Sequence, residues 1–268
     1  MRSAPPNPRG RAQLDQLRAK IRAIEPESLA VSGRVGVRAK SGKASAAERL
    51  NLPSGLHEIC PADYLDTPSA LAVQTGFMVQ QLRASGRKPP LVWVRVSGGQ
   101  AQDFGAPYPL GLMQWGLPPD RVLLAETGDT LEALWAMEEA LRAGAWLIGE
   151  VGKAAHYDLT RSKRLNLAAR ERDGLALLLR AHDAVGPSAA LTRWRISARP
   201  SPGQAWRGAT GLPGLGHPRF RAQLERARGG PPAHFDIEWK HETFHVLEPA
   251  PMAHARPDPV RTQNRRRA

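Results

Sequence analysis

The sequence predicts an α/β protein with a doubly wound, mainly parallel sheet and antiparallel strands at its C-terminal end. Three observations predict it. Short aliphatic runs (LVWVRV at 91–96, AWLIGEV at 145–151, LALLLR at 175–180) are separated by segments of helical period, the pattern of β-α-β units that bury both faces of a sheet. Helix signals bracket the segments between them, with Asp129 before residue 130 and Gly144 after residue 143. Three late segments, FRAQLERA, HFDIEWK and TFHVLE, alternate apolar and polar residues, as antiparallel strands with one wet face do.

Taken in order, residues 11–24 (RAQLDQLRAKIRAI) place Leu14, Leu17, Ile21 and Ile24 on one stripe of an amphipathic helix that Pro26 ends. Residues 28–54 are rich in Ser, Gly and Lys and read as a linker, so the folded part is expected to begin at Gly55. A short strand (GLHEIC, 55–60) leads through PADYLD to a helix with Thr67 as cap, Pro68 in its first turn and Gly86 past its end. After strand 91–96 come a Gly/Pro-rich loop and strand 121–126. Helix 130–143 sets Leu131, Leu134, Trp135 and Leu141 on one face. Strand 145–151, helix 159–173, strand 175–180 and strand 191–198 complete the parallel series. The Pro/Gly-rich stretches 199–216 and 249–268 are expected to be loop and tail. The domain reading is a helix and flexible basic linker over 1–54, a core over 55–248 and a disordered Arg-rich tail over 249–268.

Composition narrows the function classes. Gly and Pro total 49 of 268 residues, above the usual ~12%, which argues for long loops. No apolar run approaches the roughly 18–20 residues of a membrane helix, and MRSAPPNPRG lacks a signal's apolar stretch. The single Cys60 excludes an internal disulfide framework and a Cys-based zinc cluster. A soluble cytosolic protein is expected. The net charge of +13 is unevenly spread: residues 1–50 hold 11 basic and 4 acidic residues, and 249–268 hold 5 Arg and 1 Asp. Residues 51–248, with 22 basic and 20 acidic, are close to neutral. Within them, 187–230 carry 8 Arg against one Glu. Basic flanks and one basic segment suit DNA contact, and they suit an acidic protein partner equally well.

Candidate chemical motifs fail on context. His241-Glu242-Thr243-Phe244-His245 matches HExxH, but that zinc site needs a helix to bring its imidazoles together. Here Phe235, Ile237, Trp239, Phe244 and Val246 alternate as in a strand, where four residues separate the two His by about 13 Å. A third ligand is missing as well. Ser41-Gly42-Lys43 lacks the leading Gly and the Ser/Thr of a phosphate loop, since Val37 and Ala44 stand there. The first strand-to-helix turn, where open α/β sheets bind ligands, reads Pro61-Ala62-Asp63-Tyr64-Leu65-Asp66-Thr67-Pro68. It has no Gly or Lys, and Asp63 and Asp66 would repel phosphate. Glu150 closes a strand at its carboxyl end, the place of a metal-binding acid, although a lone acid there is more often a cap or loop partner. Cys60 beside Ile59 reads as a buried structural thiol. No catalytic constellation, cofactor site or metal site is expected.

The runs GLHEIC, PSALAVQTGFMVQQLR and LVWVRV, followed by TLEALWAMEEALRAGAWLIGEV, SKRLNLAARERDGLALLLRAHD, LTRWRISARPS and HPRFRAQLERARGG, resemble the ImuA family over roughly residues 50–248, the alphaproteobacterial branch in particular. These are RecA-like proteins encoded with bacterial DNA-damage mutagenesis genes. The resemblance implies a RecA-type core. In RecA a Gly-rich phosphate loop bearing Lys-Thr follows the first strand; PADYLDTPSAL stands there in this chain, and Glu150 falls near the Walker B acid. It implies a non-catalytic accessory role in damage-induced translesion synthesis, with an ImuB-type adaptor, an error-prone DnaE-type polymerase and RecA as partners. The rival readings are an ATP-dependent DNA-binding enzyme and a SulA-like cell-division inhibitor, which fits the length and basic flanks less well. RecA-like proteins carry DNA-contacting loops after the last parallel strands. That makes Arg193, Arg195, Arg199, Trp206, Arg207, Arg219 and Arg221 the candidate contacts for single-stranded DNA or a protein partner, with Arg226 and Arg228 nearby. Alternation in LTRWRISA would set Arg193 and Arg195 in solvent, opposite Trp194 and Ile196.

Overall fold

A computed structural model describes residues 50–98, 103–152, 156–205, 213–228 and 230–247. The expected helix over 11–24, most of the linker, both terminal tails, Ser41-Gly42-Lys43, Trp206 and Arg207 lie outside them.

The elements follow one another as β1 (Gly55–Pro61), α1 (Thr67–Ser85), β2 (Leu91–Val96), α2 (Pro109–Gln114), β3 (Val122–Thr127), α3 (Thr130–Arg142), β4 (Trp146–Gly152), α4 (Leu159–Glu171), β5 (Leu175–Arg180), β6 (Thr192–Arg199), a two-strand ribbon β7 (Gln204–Ala205) and β8 (Pro213–Gly214), then β9 (Arg219–Ala227), β10 (Ala233–Lys240) and β11 (Thr243–Val246). Nine strands form one sheet in the order β11-β10-β9-β6-β1-β5-β4-β2-β3. The five pairings from β6 to β3 are parallel and the three from β6 to β11 antiparallel. This is the mainly parallel α/β sheet with an antiparallel C-terminal edge that the alternation predicts.

Two apolar clusters lie on the two faces. Under α1, Val73, Phe77 and Met78 meet Ile59, Trp93, Ile148, Leu177 and Trp194, and the cluster continues to Phe220, Ile237, Trp239 and Phe244 of the antiparallel strands. Under α3 and α4, Leu134, Met137, Leu141 and Leu165 meet Leu56, Val94, Leu147 and Leu178. One close approach depends on a missing side chain: a Cβ at Gly76, in mid-α1, would stand 2.5 Å from Phe244 Cζ.

Several expectations shift. Leu50 and Leu52, assigned to the linker by their polar surroundings, are buried with α1, and the Gln80 amide donates to the Leu50 carbonyl. Asp66 occupies the N-cap position of the first long helix without a side-chain cap bond, and Thr67 is its first residue, after a 3-10 turn over Tyr64–Asp66. Asp129 does cap α3, accepting from the Glu132 amide at 2.9 Å. Leu131 and Trp135 are not on the buried face of that helix: Ala133, Leu134, Met137 and Leu141 are buried, and Trp135 is 65% exposed. The neighbouring strand β3 is the sheet's edge, so that flank of α3 has no further strand to cover.

Candidate functional site

The Arg-rich strands lie where the sheet changes character. On β6, β9 and β10 the buried residues Trp194, Ile196, Phe220, Ala222, Leu224, Phe235, Ile237 and Trp239 face α1. The alternate residues project from the other face, which no described helix covers beyond β1. Cross-strand register aligns Ser197 with Arg221 and Arg199 with Arg219 on that face, and Arg221 with Asp236 and Arg219 with Glu238. Opposite charges are therefore placed side by side by the ladder itself.

Each candidate arginine that the structure describes has an acidic neighbour. Arg221 makes a two-pronged contact with Asp236 at 2.9 and 3.0 Å, and that bonding holds the Asp236 carboxyl below its ordinary pKa. Arg199 stands 3.6 Å from the same carboxylate, and Arg219 Nε is 2.8 Å from Glu238. Arg195 pairs with Glu225 and donates to the carbonyls of Pro61 and His182. Arg193 donates to buried Glu58 at 2.6 Å and to the Gly186 carbonyl. Placing Arg193 and Arg195 in free solvent is thus corrected: their side chains are only 14% and 24% exposed. Arg199 and Arg221, at 43% and 41%, are the more open pair.

A β-bulge organises the inner end of this face. Register slips between Arg193 and Trp194 opposite Arg226 and Leu224, so consecutive Glu225 and Arg226 both reach the polar side. Glu225 takes Arg195, while Arg226 donates to Ser188 Oγ at 2.7 Å and stands 4.0 Å from Glu58. Fully buried Glu58 also accepts from Arg180 at 3.3 Å and from the Tyr157 hydroxyl at 2.8 Å. Burial works to raise the Glu58 carboxyl, but Arg193, Ser188 and Arg180 together outweigh it and hold it below the usual range. Burial, with Glu58 adding to it, pushes the Tyr157 phenol well up. No motif signals this cluster, because the residues that bond to one another in it stand 30 to 168 apart in the chain and only the sheet order brings them together.

At the carboxyl end of the parallel strands the turn after β1 is tied down by its own acids. Asp66 accepts from the Ala198 amide at 2.8 Å, and the Tyr64 hydroxyl donates to Asp103 at 2.6 Å. Glu150 is buried, and it is neither a cap nor a loop partner: the Trp93 indole donates to it from the adjacent strand β2, and Arg95 Nε on the same strand stands 3.8 Å away. Burial raises its carboxyl. It lines a cavity of about 190 Å³ with Leu71, Thr75, Trp93, Tyr108 and Trp115. Cys60 is buried, and burial pushes its thiol up to about 11, the property of a structural thiol. The HExxH residues form a hairpin: His241 and Glu242 occupy its turn with φ of 52° and 57°, and Thr243 and His245 lie on β11. They are not helical, and among the described residues no group of three metal-ligating side chains assembles. The φ values also correct the expectation of a continuous strand through 241–242.

Fold and surface together define an α/β protein whose mainly parallel sheet is prolonged by antiparallel strands bearing an ion-paired arginine face. The chain is 34% identical over 194 residues to Protein ImuA of Caulobacter vibrioides, in strains NA1000 / CB15N and ATCC 19089 / CIP 103742 / CB 15 alike, covering 66% of this chain and 72% of the relative. It belongs to the ImuA family, the one its strand and helix runs resemble. No family model matches the chain.

Proposed function

We propose that this protein is a non-catalytic accessory factor of damage-induced translesion synthesis. Its RecA-like core serves as a platform for an ImuB-type adaptor, an error-prone DnaE-type polymerase and RecA. Membership in the ImuA family supports the tie to damage-induced mutagenesis, and the parallel sheet with its antiparallel extension is compatible with a RecA-type core. The observation that carries the non-catalytic reading is the turn after β1. A phosphate site draws on backbone N–H donors and a Lys. Here the turn holds Asp63 and Asp66 instead, and Asp66 is committed to the Ala198 amide.

Two measurements test this. Titration of a fluorescent ATP analogue should show no magnesium-dependent, ATP-competed binding; micromolar binding with those properties favours an ATP-dependent enzyme. Deleting the gene in its host should lower the damage-induced mutation frequency, and an unchanged frequency overturns the mutagenesis role.

The arginine face fits a protein partner better than DNA, because its charges are already matched by Glu225, Asp236 and Glu238. DNA contact stays a second reading through exposed Arg199 and Arg221, with Trp206 and Arg207 following in the chain. Anisotropy on a labelled single-stranded oligonucleotide separates the two. Binding that weakens steeply with salt, and less steeply after Arg199→Ala and Arg221→Ala, supports DNA; no binding at low salt leaves the protein partner.

A further inference from the structure

The other end of the sheet has the opposite chemistry. Strand β3 is terminal among the described residues, so its outer N–H and C=O groups face no described strand. Natural edges are usually blunted by Lys, Pro, a bulge or shortness. β3 (VLLAET) has no Lys, Pro or bulge and its one charge is Glu126: it runs in unbroken register along β2 from Leu91–Val122 to Val96–Thr127. Leu123 and Leu124 are 66% and 42% exposed, one on each face of the strand. Leu123 shares its face with Ala125, which packs on the α3 cluster, and α3 leaves Leu131 and Trp135 exposed. Leu124 shares its face with Val122, which packs on the α1 cluster together with Leu112 and Trp115.

The surroundings are acidic in a basic protein. Residues 103–142 contain seven acidic and two basic residues, a net of −5 within a chain of +13. Asp120, Glu126, Asp129, Glu132 and Glu139 are exposed. An edge of this kind attracts a cationic strand and repels nucleic acid. It also repels a second copy of itself, since edge-to-edge pairing would set the same acidic segment against its duplicate.

We propose that β3 receives an extended basic segment of a partner protein as an added strand. The main chain supplies the hydrogen bonds, and Leu123 with Trp135 on one face and Leu124 on the other anchor alternate apolar side chains. This deepens the platform reading and rests on it.

The test uses the full chain and a labelled nine-residue synthetic peptide alternating Lys with Val. Controls are an isomer with its lysines in one block and a counterpart with Glu for Lys. The alternating basic peptide should bind on the order of tenfold more tightly than either control, by anisotropy, since pattern and charge both contribute. The double variant Leu123→Ser/Leu124→Ser, which leaves the charge unchanged, should lose about as much affinity. Val185→Ser, at a loop position 86% exposed, should bind as the parent does, with circular dichroism confirming each fold. Equal binding of the block isomer, or full binding by the double variant, overturns the proposal. So does a dimer in sedimentation that the double variant dissociates, because the occupant is then a second copy. None of these failures alters the ATP titration or the mutation frequency, which test the underlying role separately.

Discussion

From β4 to β1 the sheet is sandwiched, with α1 on one face and α3 and α4 on the other, whereas from β6 to β11 only the α1 face is covered among the described residues. Strands in the first half are apolar on both faces, as the unbroken burial of β5 shows; β9 and β10 alternate buried residues with charged ones. The same residue types consequently do different work in the two halves. Glu58, under the sandwich, must neutralise arginines that have lost their water, and Asp236, on the bare face, meets arginines that keep much of theirs. Charge alone therefore says little about energetics until its cover is known.

The sharpest test is Glu58→Ala. It leaves Arg180 and Arg193 without their buried counter-ion, which should cost about 3–5 kcal/mol, read by urea denaturation. A loss below 1 kcal/mol would mean that water reaches the cluster and that the sandwiched half is not dry.

Next comes pH. Fully buried His57 holds Thr192 Oγ1 and the Pro53 carbonyl, each at 2.8 Å, and burial lowers its pKa from 6.5 to about 4. The unfolded chain then binds more protons than the folded one between those values. Stability should be full above pH 6.5 and fall toward pH 4, by up to about 1.4 kcal/mol per pH unit. His57→Gln should flatten that slope; an unchanged slope assigns it to the carboxylates.

Gly76→Val probes the cover that both halves share. Its side chain would drive into Phe244 and Trp239, and overpacking of this kind typically costs about 1–3 kcal/mol. A thermal midpoint equal to the parent's would show that the β10–β11 hairpin moves freely away from α1.

The smallest effect is expected on the bare face. Asp236→Ala removes the partner of Arg221 and Arg199 and should change stability by no more than about 1 kcal/mol. If DNA binds there, the same variant should strengthen binding to single-stranded DNA by freeing two arginines. A stability loss as large as that of Glu58→Ala would erase the distinction between the halves.

Much of this architecture was legible in the chain. The α/β alternation, the Asp129 cap, the three late strands and the failure of HExxH as a helix follow from local periodicity and capping chemistry, which act over a few residues. Leu50 and Leu52 were not legible, because their neighbours resemble a linker and only α1 shows what they pack against. Nor was the fate of Leu131 and Trp135 on α3, since amphipathic spacing marks an apolar stripe without telling which part of it lies over the sheet and which hangs past its edge.

The arginine face marks the boundary most clearly. Local reading of the chain suffices to show that 187–230 is basic, that Arg193 and Arg195 share a face opposite Trp194, and that the turn after the first strand lacks phosphate-binding residues. Tertiary structure alone decided that Glu58 meets Arg193 across 135 residues and that a bulge turns Glu225 toward Arg195. It also decided that Glu150 is held by Trp93. The reason is physical: side-chain direction along a strand has a local period of two, but the partner opposite each charge is set by strand order and register, which are properties of the whole sheet.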